Sequence, residues 1–431
     1  MKKVELLAPA KNIKSIKAGI QYADAFYMGY QDFNMRMQSD NFNEESLKRA
    51  VQMLHDANKK AYLTTNILIY ENELSELKNL INFAHSIEMD ALIVHDLAAI
   101  EMTREIGIPF HISTQANVSN SFAAKFYEKL GAQRIVLARE CSLEQIKEIK
   151  SILTECGIEV FIHGAMCASI SGRCYFSQDV CKSEQYSANR GRCVQPCRRQ
   201  WRVIDEENNE YIYDGQRFMN SRDLCMIWHI PELIEANIDS FKIEGRMRSP
   251  HYVEVVTKAY REAINAAYEG NFNRSLAKKL AEELKKEYNR GFTTGFYFKR
   301  ATQEDQQHQS PTNLSHWRPI KMGQFESYDP NTHHGTAYID NGKLRIGMDI
   351  IIEGTKLSDT YFHQIIGEMI YKNKKVEKTP KGLEKSPFRV QIKLDQPVNV
   401  GGIDEIFIFT EETYENREKQ SVKKKSHLYR L

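Results

Sequence analysis

The sequence predicts an α/β protein: a TIM-like (β/α)8 barrel carrying a cysteine-rich insertion, followed by a small C-terminal β-barrel domain. Short apolar runs alternate with helix-period segments across the first 245 residues. Eight such runs occur, and no Gly-rich turn follows the first, which favours a closed barrel over an open doubly wound sheet. From about residue 318 onward the pattern changes to strand-like runs separated by turns.

In chain order, barrel strands are expected at Val4–Ala8, Ala25–Gly29, Ala61–Thr65, Ala91–His95, Phe110–Thr114, Ile135–Arg139, Val160–His163 and Ser240–Glu244. Apolar residues three and four apart predict helices at Glu45–Ala57, Glu73–Ile87, Ser121–Leu130 and Leu143–Glu155, and two more at Pro250–Glu269 and Arg274–Tyr288. The barrel domain therefore spans residues 1–300, with its insertion at about 164–239. A polar, apolar-poor linker is expected at 301–317, the β domain at 318–412 and a basic tail at 413–431. In the β domain, strand-like runs fall at His334–Ile339, Leu344–Ile352, Gln364–Tyr371, Phe388–Leu394 and Glu405–Phe409.

The barrel strands end in polar residues, among them Gln115 and Asn117, Arg139 and Glu140, His163, and Glu244 and Arg246. A barrel gathers such ends on its C-terminal face, where these folds place their chemistry. The seventh and eighth strands are too far apart for an ordinary βα unit, so the excess chain must fold over that face.

That excess holds five of the eight cysteines, Cys167, Cys174, Cys181, Cys193 and Cys197. It also holds six arginines between Arg173 and Arg202, whose guanidinium groups offset the charge of thiolates. The sequence has no run of 18 apolar residues and no signal-peptide core, which predicts a cytoplasmic protein without membrane contact. In that reducing compartment clustered cysteines read as metal ligands rather than disulfides. Cys167-x6-Cys174, Cys193-x3-Cys197 and Cys225 match neither ferredoxin spacing nor the paired C-x2-C of a zinc ribbon. Spacing alone leaves zinc and iron–sulfur open. A formal charge of +2 on 431 residues means that any nucleic-acid surface is local.

Residues 159–177 resemble the signature of the collagenase-like U32 peptidase family: Glu159-x-Phe161-x-x-Gly164-Ala165-Met166-Cys167, then Gly172-x-Cys174 and Ser177. Phe176 stands where an aliphatic residue is expected. The resemblance continues through Gly191-x-Cys193-x-x-Pro196-Cys197-Arg198, Asn220-Ser221-Arg222-Asp223-Leu224-Cys225 and Phe241-Lys242-Ile243-Glu244-Gly245-Arg246. Within the family, the chain is most similar to the prephenate-dependent tRNA hydroxylation proteins, which make 5-hydroxyuridine at the wobble position and carry an iron–sulfur cluster.

The resemblance implies a 4Fe-4S cluster on Cys167, Cys174, Cys193 and Cys225, with Cys197 as the rival fourth ligand. It implies prephenate as co-substrate, tRNA as partner and a paralogous protein as a further possible partner. A dicarboxylate asks for paired cations, and Arg139 and Arg246 end two strands. Glu140, His163 and Glu244 are the acid–base candidates, and the amides of Gln115 and Asn117 suit a base edge. Arg198, Arg199 and Arg202, interleaved with Tyr186 and Trp201, suit phosphates and stacked bases. A collagenase-like peptidase is one alternative, although neither a His-Glu-x-x-His helix nor a Gly-x-Ser-x-Gly elbow occurs. An RNA-binding protein with a structural metal site is the other.

Overall fold

The computed structural model describes residues 3–211, 217–308, 310 and 312–411. The chain forms two compact units, Met1–Leu314 and Ser315–Leu431.

In the first unit, β1 (Glu5–Pro9), β2 (Ala25–Gly29), β3 (Lys60–Thr65), β4 (Ala91–Val94), β5 (Phe110–Ile112), β6 (Arg134–Val136) and β7 (Gly157–Ala165) pair in sequence order, all parallel. Two short strands, β8 (Val203–Ile204) and β9 (Glu210–Tyr211), form a hairpin within the insertion. β10 (Asp223–Cys225) adds to β7 in the antiparallel sense. β11 (Ser240–Ile243) pairs parallel with both β7 and β1 and closes an eight-stranded barrel. β12 (Phe292–Thr293) extends β10.

Helices α1 (Ile13–Gly19), α2 (Glu44–Asp56), α3 (Leu74–Ser86), α4 (Leu97–Ile106), α5 (Ser121–Lys129) and α6 (Leu143–Ile152) follow β1 to β6 one for one. α7 (Phe176–Cys181) lies in the insertion, and α8 (Ile230–Glu235), α9 (Pro250–Tyr268) and α10 (Arg274–Lys286) complete the unit. Asn12, Asn43, Asp96, Asn120, Ser142, Ser249 and Asn273 each cap a helix by accepting a first-turn N–H. Each such cap is worth about 1 kcal/mol.

Alternation along the strands separates two cores. Leu6, Phe26, Leu63, Leu92, Ile112, Ile135, Val160 and Phe241 face the helices. Leu7, Ala25, Tyr27, Tyr62, Ala91 and Ile93 pack separately inside the barrel. The interior also holds buried charge: Lys242 donates to Glu159 at 2.7 Å, and Arg134 bridges Glu159 and Glu5. Such a network tolerates no unpaired member.

The expected linker behaves differently from a free connection. Asn220 donates to the carbonyls of Gln307 and Ser310, Gln307 N–H donates to Asn220 O, and Leu314 N–H donates to Asn289 O. Its polar side chains and backbone strap it to the barrel unit, which ends at Leu314. Composition alone does not reveal such bonds.

The second unit is an eight-stranded antiparallel sheet: β13 (Trp317–Asp329), β14 (His334–Ile339), β15 (Asp349–Gly354), β16 (Tyr361–Ile365), β17 (Met369–Tyr371), β18 (Lys374–Lys375), β19 (Phe388–Lys393) and β20 (Asp404–Glu411). It wraps its own core of Met322, Phe325, Ile339, Ile350, Ile352, Val390, Ile392 and Ile406. Two register shifts interrupt β13, between Lys321 and Gly323 and between Phe325 and Ser327. They break the alternation that would mark it in sequence. The basic tail at 413–431 lies outside the described residues.

Candidate functional site

A cavity of about 460 Å³ opens at the C-terminal ends of the barrel strands. Its floor is Tyr27, Thr64, Asn66, Gln115, Arg139, Phe161, Lys242 and Glu244, and its roof is the segment from Met166 to Arg198. The roof touches the strand-end loops backbone to backbone. Gly172 (φ +75°) and Gly191 (φ +78°) sit where an added Cβ would meet the Gln115 and Asn34 carbonyl oxygens at 2.0 and 2.1 Å. Glycine alone permits that approach. Glu140 accepts from the Ser171 N–H at 2.8 Å and from its hydroxyl at 3.1 Å. Buried Arg198 donates to the carbonyls of Met166 and Ser221 and to Asn220 Oδ1.

Four thiols, Cys167, Cys174, Cys193 and Cys197, line the roof. Burial pushes the Cys197 thiol up to about 11; Arg198 opposes this, and the thiols of Cys167, Cys193 and Cys174 add to it. Burial likewise raises Cys193, opposed by the Gln195 N–H that donates to its sulfur at 3.3 Å. Among the described residues, no three His, Cys, Asp or Glu side chains converge tightly enough to hold a single metal ion.

The cavity wall is strongly cationic. Among the described residues, eight cations line it, namely Arg36, Arg139, Arg173, Arg198, Lys242, Arg246, Arg248 and Arg290, against one carboxylate, Glu244. Arg36 pairs with Glu244, and Arg290 pairs with Asp223 at 2.6 Å. Burial raises the Glu244 pKa, but the Arg36 and Arg139 charges outweigh it and hold the carboxyl down at about 2. Arg246 is buried and donates to Thr64 Oγ1 at 2.8 Å, Asn41 Oδ1 at 2.7 Å and Asn34 Oδ1. That leaves Arg139, Arg173 and Arg248 with no side-chain hydrogen bond or ion pair among the described residues. Arg139 lies over the Phe161 ring at 4.1 Å and Arg248 over the Tyr288 ring at 3.5 Å. Stacking holds both guanidiniums while leaving their in-plane donors free.

The sequence profile of peptidase family U32 matches residues 11–307. The chain belongs to peptidase family U32. It is 39% identical over 417 residues to an uncharacterized protease of Methanocaldococcus jannaschii, covering 95% of this chain and 98% of that protein. It is 34% identical over 391 residues to a collagenase of Porphyromonas gingivalis, covering 88% and 92%. It is 35% identical over 362 residues to tRNA hydroxylation protein P of Helicobacter pylori, covering 78% and 83%. No described helix is long and apolar enough to cross a membrane.

In this U32 chain the expected site residues part company. Arg139, Gln115, Glu244 and Arg246 line the cavity, but both terminal nitrogens of Arg246 already donate to neutral acceptors, while its buried Nε has no partner among the described residues. Arg198 lines it too, bonded to carbonyls and therefore closed to phosphates. Arg199 is exposed, and Arg202 is exposed and paired with Glu210 at 2.9 Å. Glu140 and Asn117 do not line the cavity. Glu140 serves as the roof tether, which its place beside Arg139 in sequence conceals.

His163 lies outside the cavity. A bulge between β7 and β11 puts His163 opposite Ile243 instead of in phase with Glu159 and Phe161. Its ring packs among Tyr252, Tyr260 and Phe292, with the Tyr260 hydroxyl 3.3 Å from Nδ1, and burial lowers its pKa to about 3. Cys225 also stands apart from the four thiols. It is buried on β10 and accepts from Tyr260 Oη at 3.7 Å, so Cys197 takes its place in the roof. Sequence reasoning missed Arg36 and Arg248. Arg248 had a signal, since it follows Arg246 by two residues on the same strand-end loop.

Proposed function

We propose that this U32 protein is an iron–sulfur tRNA-modifying enzyme that hydroxylates the wobble uridine to 5-hydroxyuridine with prephenate as co-substrate. The observation that carries the reading is the cavity itself, with four thiols in its roof and unpaired guanidiniums in its floor. The tRNA hydroxylation relatives supply the reaction class.

The donor set fits a cluster. Four thiols line one face of the cavity, enough for a four-ligand site. A 4Fe-4S cluster spreads its ligands over separate irons and takes N–H donors to sulfur, as Gln195 provides for Cys193. Cys167, Cys174, Cys193 and Cys197 would hold it, and when bound it supplies one-electron chemistry at the roof.

Arg139 and Arg248 bind the co-substrate's carboxylates through their free in-plane donors. Glu244 is ionised at neutral pH and accepts hydrogen bonds, so it orients rather than donates a proton. The Gln115 amide, without a side-chain partner among the described residues, offers a donor and an acceptor to a pyrimidine edge.

The collagenase relative makes proteolysis the competing reading. No histidine is among the described residues lining the cavity, and the Ser171 hydroxyl is bonded to Glu140. Mass spectrometry of tRNA nucleosides from a deletion strain tests the proposal. Loss of 5-hydroxyuridine and its derivatives is the expected outcome; an unchanged profile with no paralogue present would sink it.

A further inference from the structure

The C-terminal unit carries a charge asymmetry that the barrel cavity does not explain. Between residues 372 and 385 stand six lysines against two glutamates, in a chain whose formal net charge is +2. This stretch is pinned rather than loose. Gly342 and Gly382 exchange backbone hydrogen bonds at 3.2 and 2.7 Å, Thr379 N–H donates to Leu344 O at 3.0 Å, and Ile346 N–H donates to Glu377 O at 2.9 Å. The same pairing lays exposed Lys343 and Arg345 beside the lysine stretch. Some cations elsewhere in the domain are neutralised, as exposed Arg389 is by Glu326 at 2.7 Å and half-buried Lys321 by Glu405 at 2.6 Å. On this face Lys375 pairs with Glu368, while Lys374, Lys378, Lys381 and Lys385 have no ion pair among the described residues.

We propose that this lysine face of the C-terminal β domain binds the phosphate backbone of a nucleic acid. Three features favour that partner. Fixed like charges on a pinned backbone repel one another, and a polyanion relieves the repulsion by releasing counterions. All but one of the cations are lysines, point charges without the planar fork that reads base edges, which suits sequence-indifferent phosphate contact. The large exposed apolar side chains here are Ile346 and Leu383, without the buried aromatic anchor that centres a protein interface. The face is argued from this domain alone and stands whether or not uridine is hydroxylated in the barrel.

The test measures anisotropy of fluorescein-labelled tRNA with the full-length protein between about 0.05 and 0.3 M salt. Lys374→Glu/Lys378→Glu/Lys381→Glu should weaken binding at least about tenfold and lower the salt slope by roughly two to three, near one per lost phosphate contact. The matching Lys→Gln triple should fall between it and wild type, which guards against a folding defect. A control of equal charge change, Lys48→Glu/Lys78→Glu/Lys147→Glu on the exposed sides of α2, α3 and α6, should keep the wild-type affinity and slope. The proposal is overturned by a wild-type protein that does not bind tRNA, by a patch variant that binds like wild type, or by a control that loses as much. It is equally overturned if the patch substitutions abolish binding to phosphatidylserine vesicles and leave tRNA binding intact.

Discussion

Replacing Arg139 separates the proposed anion-binding role of the cavity floor from everything else the arginines do. Its guanidinium rests on Phe161 at 4.1 Å, and its buried Nε has no partner. Arg139→Ala therefore strands no protein acceptor, although it removes one of the charges that hold Glu244 ionised, so its main effect should appear when the anion binds. Losing one partner of a buried charge-assisted pair costs about 2–5 kcal/mol. Arg139 is half-buried, which places the loss near the lower end, about 2–3 kcal/mol or roughly 30- to 150-fold in affinity. Arg248→Ala, on the Tyr288 ring, should behave alike. Arg139→Lys should recover only part, because an ammonium cannot bind a carboxylate with two parallel donors. The assay is calorimetric titration with prephenate, alongside the KM of modification. Cluster absorbance should stay at the wild-type value, and thermal stability should fall less than in Arg246→Ala. Arg246→Ala provides the contrast: it strands Thr64 and Asn41 and takes one of two donors from Asn34, at about 1–3 kcal/mol per stranded acceptor, and should show first as a fall in Tm. Unchanged prephenate affinity in both Arg139→Ala and Arg248→Ala would refute the reasoning. So would an affinity loss in Arg246→Ala without a loss of stability.

Cys197→Ala should bleach the visible absorbance of anaerobically purified protein, while Cys225→Ala should keep the colour and lose stability; the reverse pattern would return the fourth ligand to Cys225. Glu244 is held at about 2 instead of the usual 4.5, worth about 3 kcal/mol that is present above pH 4.5 and lost as pH falls towards 2. The Tm gap between wild type and Glu244→Gln should therefore be full at pH 7 and narrow below about pH 4.5. His163 is held at about 3 instead of 6.5, so the unfolded chain takes up a proton first as pH falls below 6.5. His163→Gln should flatten the stability loss between pH 6.5 and 3 by up to about 1.4 kcal/mol per pH unit, read from urea midpoints; equal slopes would place His163 in contact with solvent.

The barrel was legible because its signals are local. Strand β2 runs Ala25–Gly29 as expected, and Gln115, Arg139, Glu244 and Arg246 reach the cavity because strand ends share one face. What sequence concealed depends on long-range contact. His163 looks inward by alternation until the bulge turns it out. Arg198 reads as a phosphate ligand until three acceptors at 166, 220 and 221 claim it. Cys225 sits in a family motif, but strand pairing with β7 carries it to Tyr260. Arg36 reaches Glu244 across 208 residues, a pairing that no window of sequence contains.

The thiol segment lies between the seventh and eighth barrel strands, and β11 pairs with β7 on one side and β1 on the other. During synthesis all four roof thiols therefore leave the ribosome before the strand that seals the barrel. That final pairing joins Glu5 to Ser240, 235 residues apart, among the slowest kinds of contact to form. Lys242, Glu244, Arg246 and Arg248 ride on or just beyond that strand. The two walls of the cavity are thus born at different times: the sulfur-rich roof exists, open to solvent, while the anion-holding floor is still incomplete. On the proposed function, maturation has a built-in order, in which the thiols meet metal or oxidant before the site can recognise its anion.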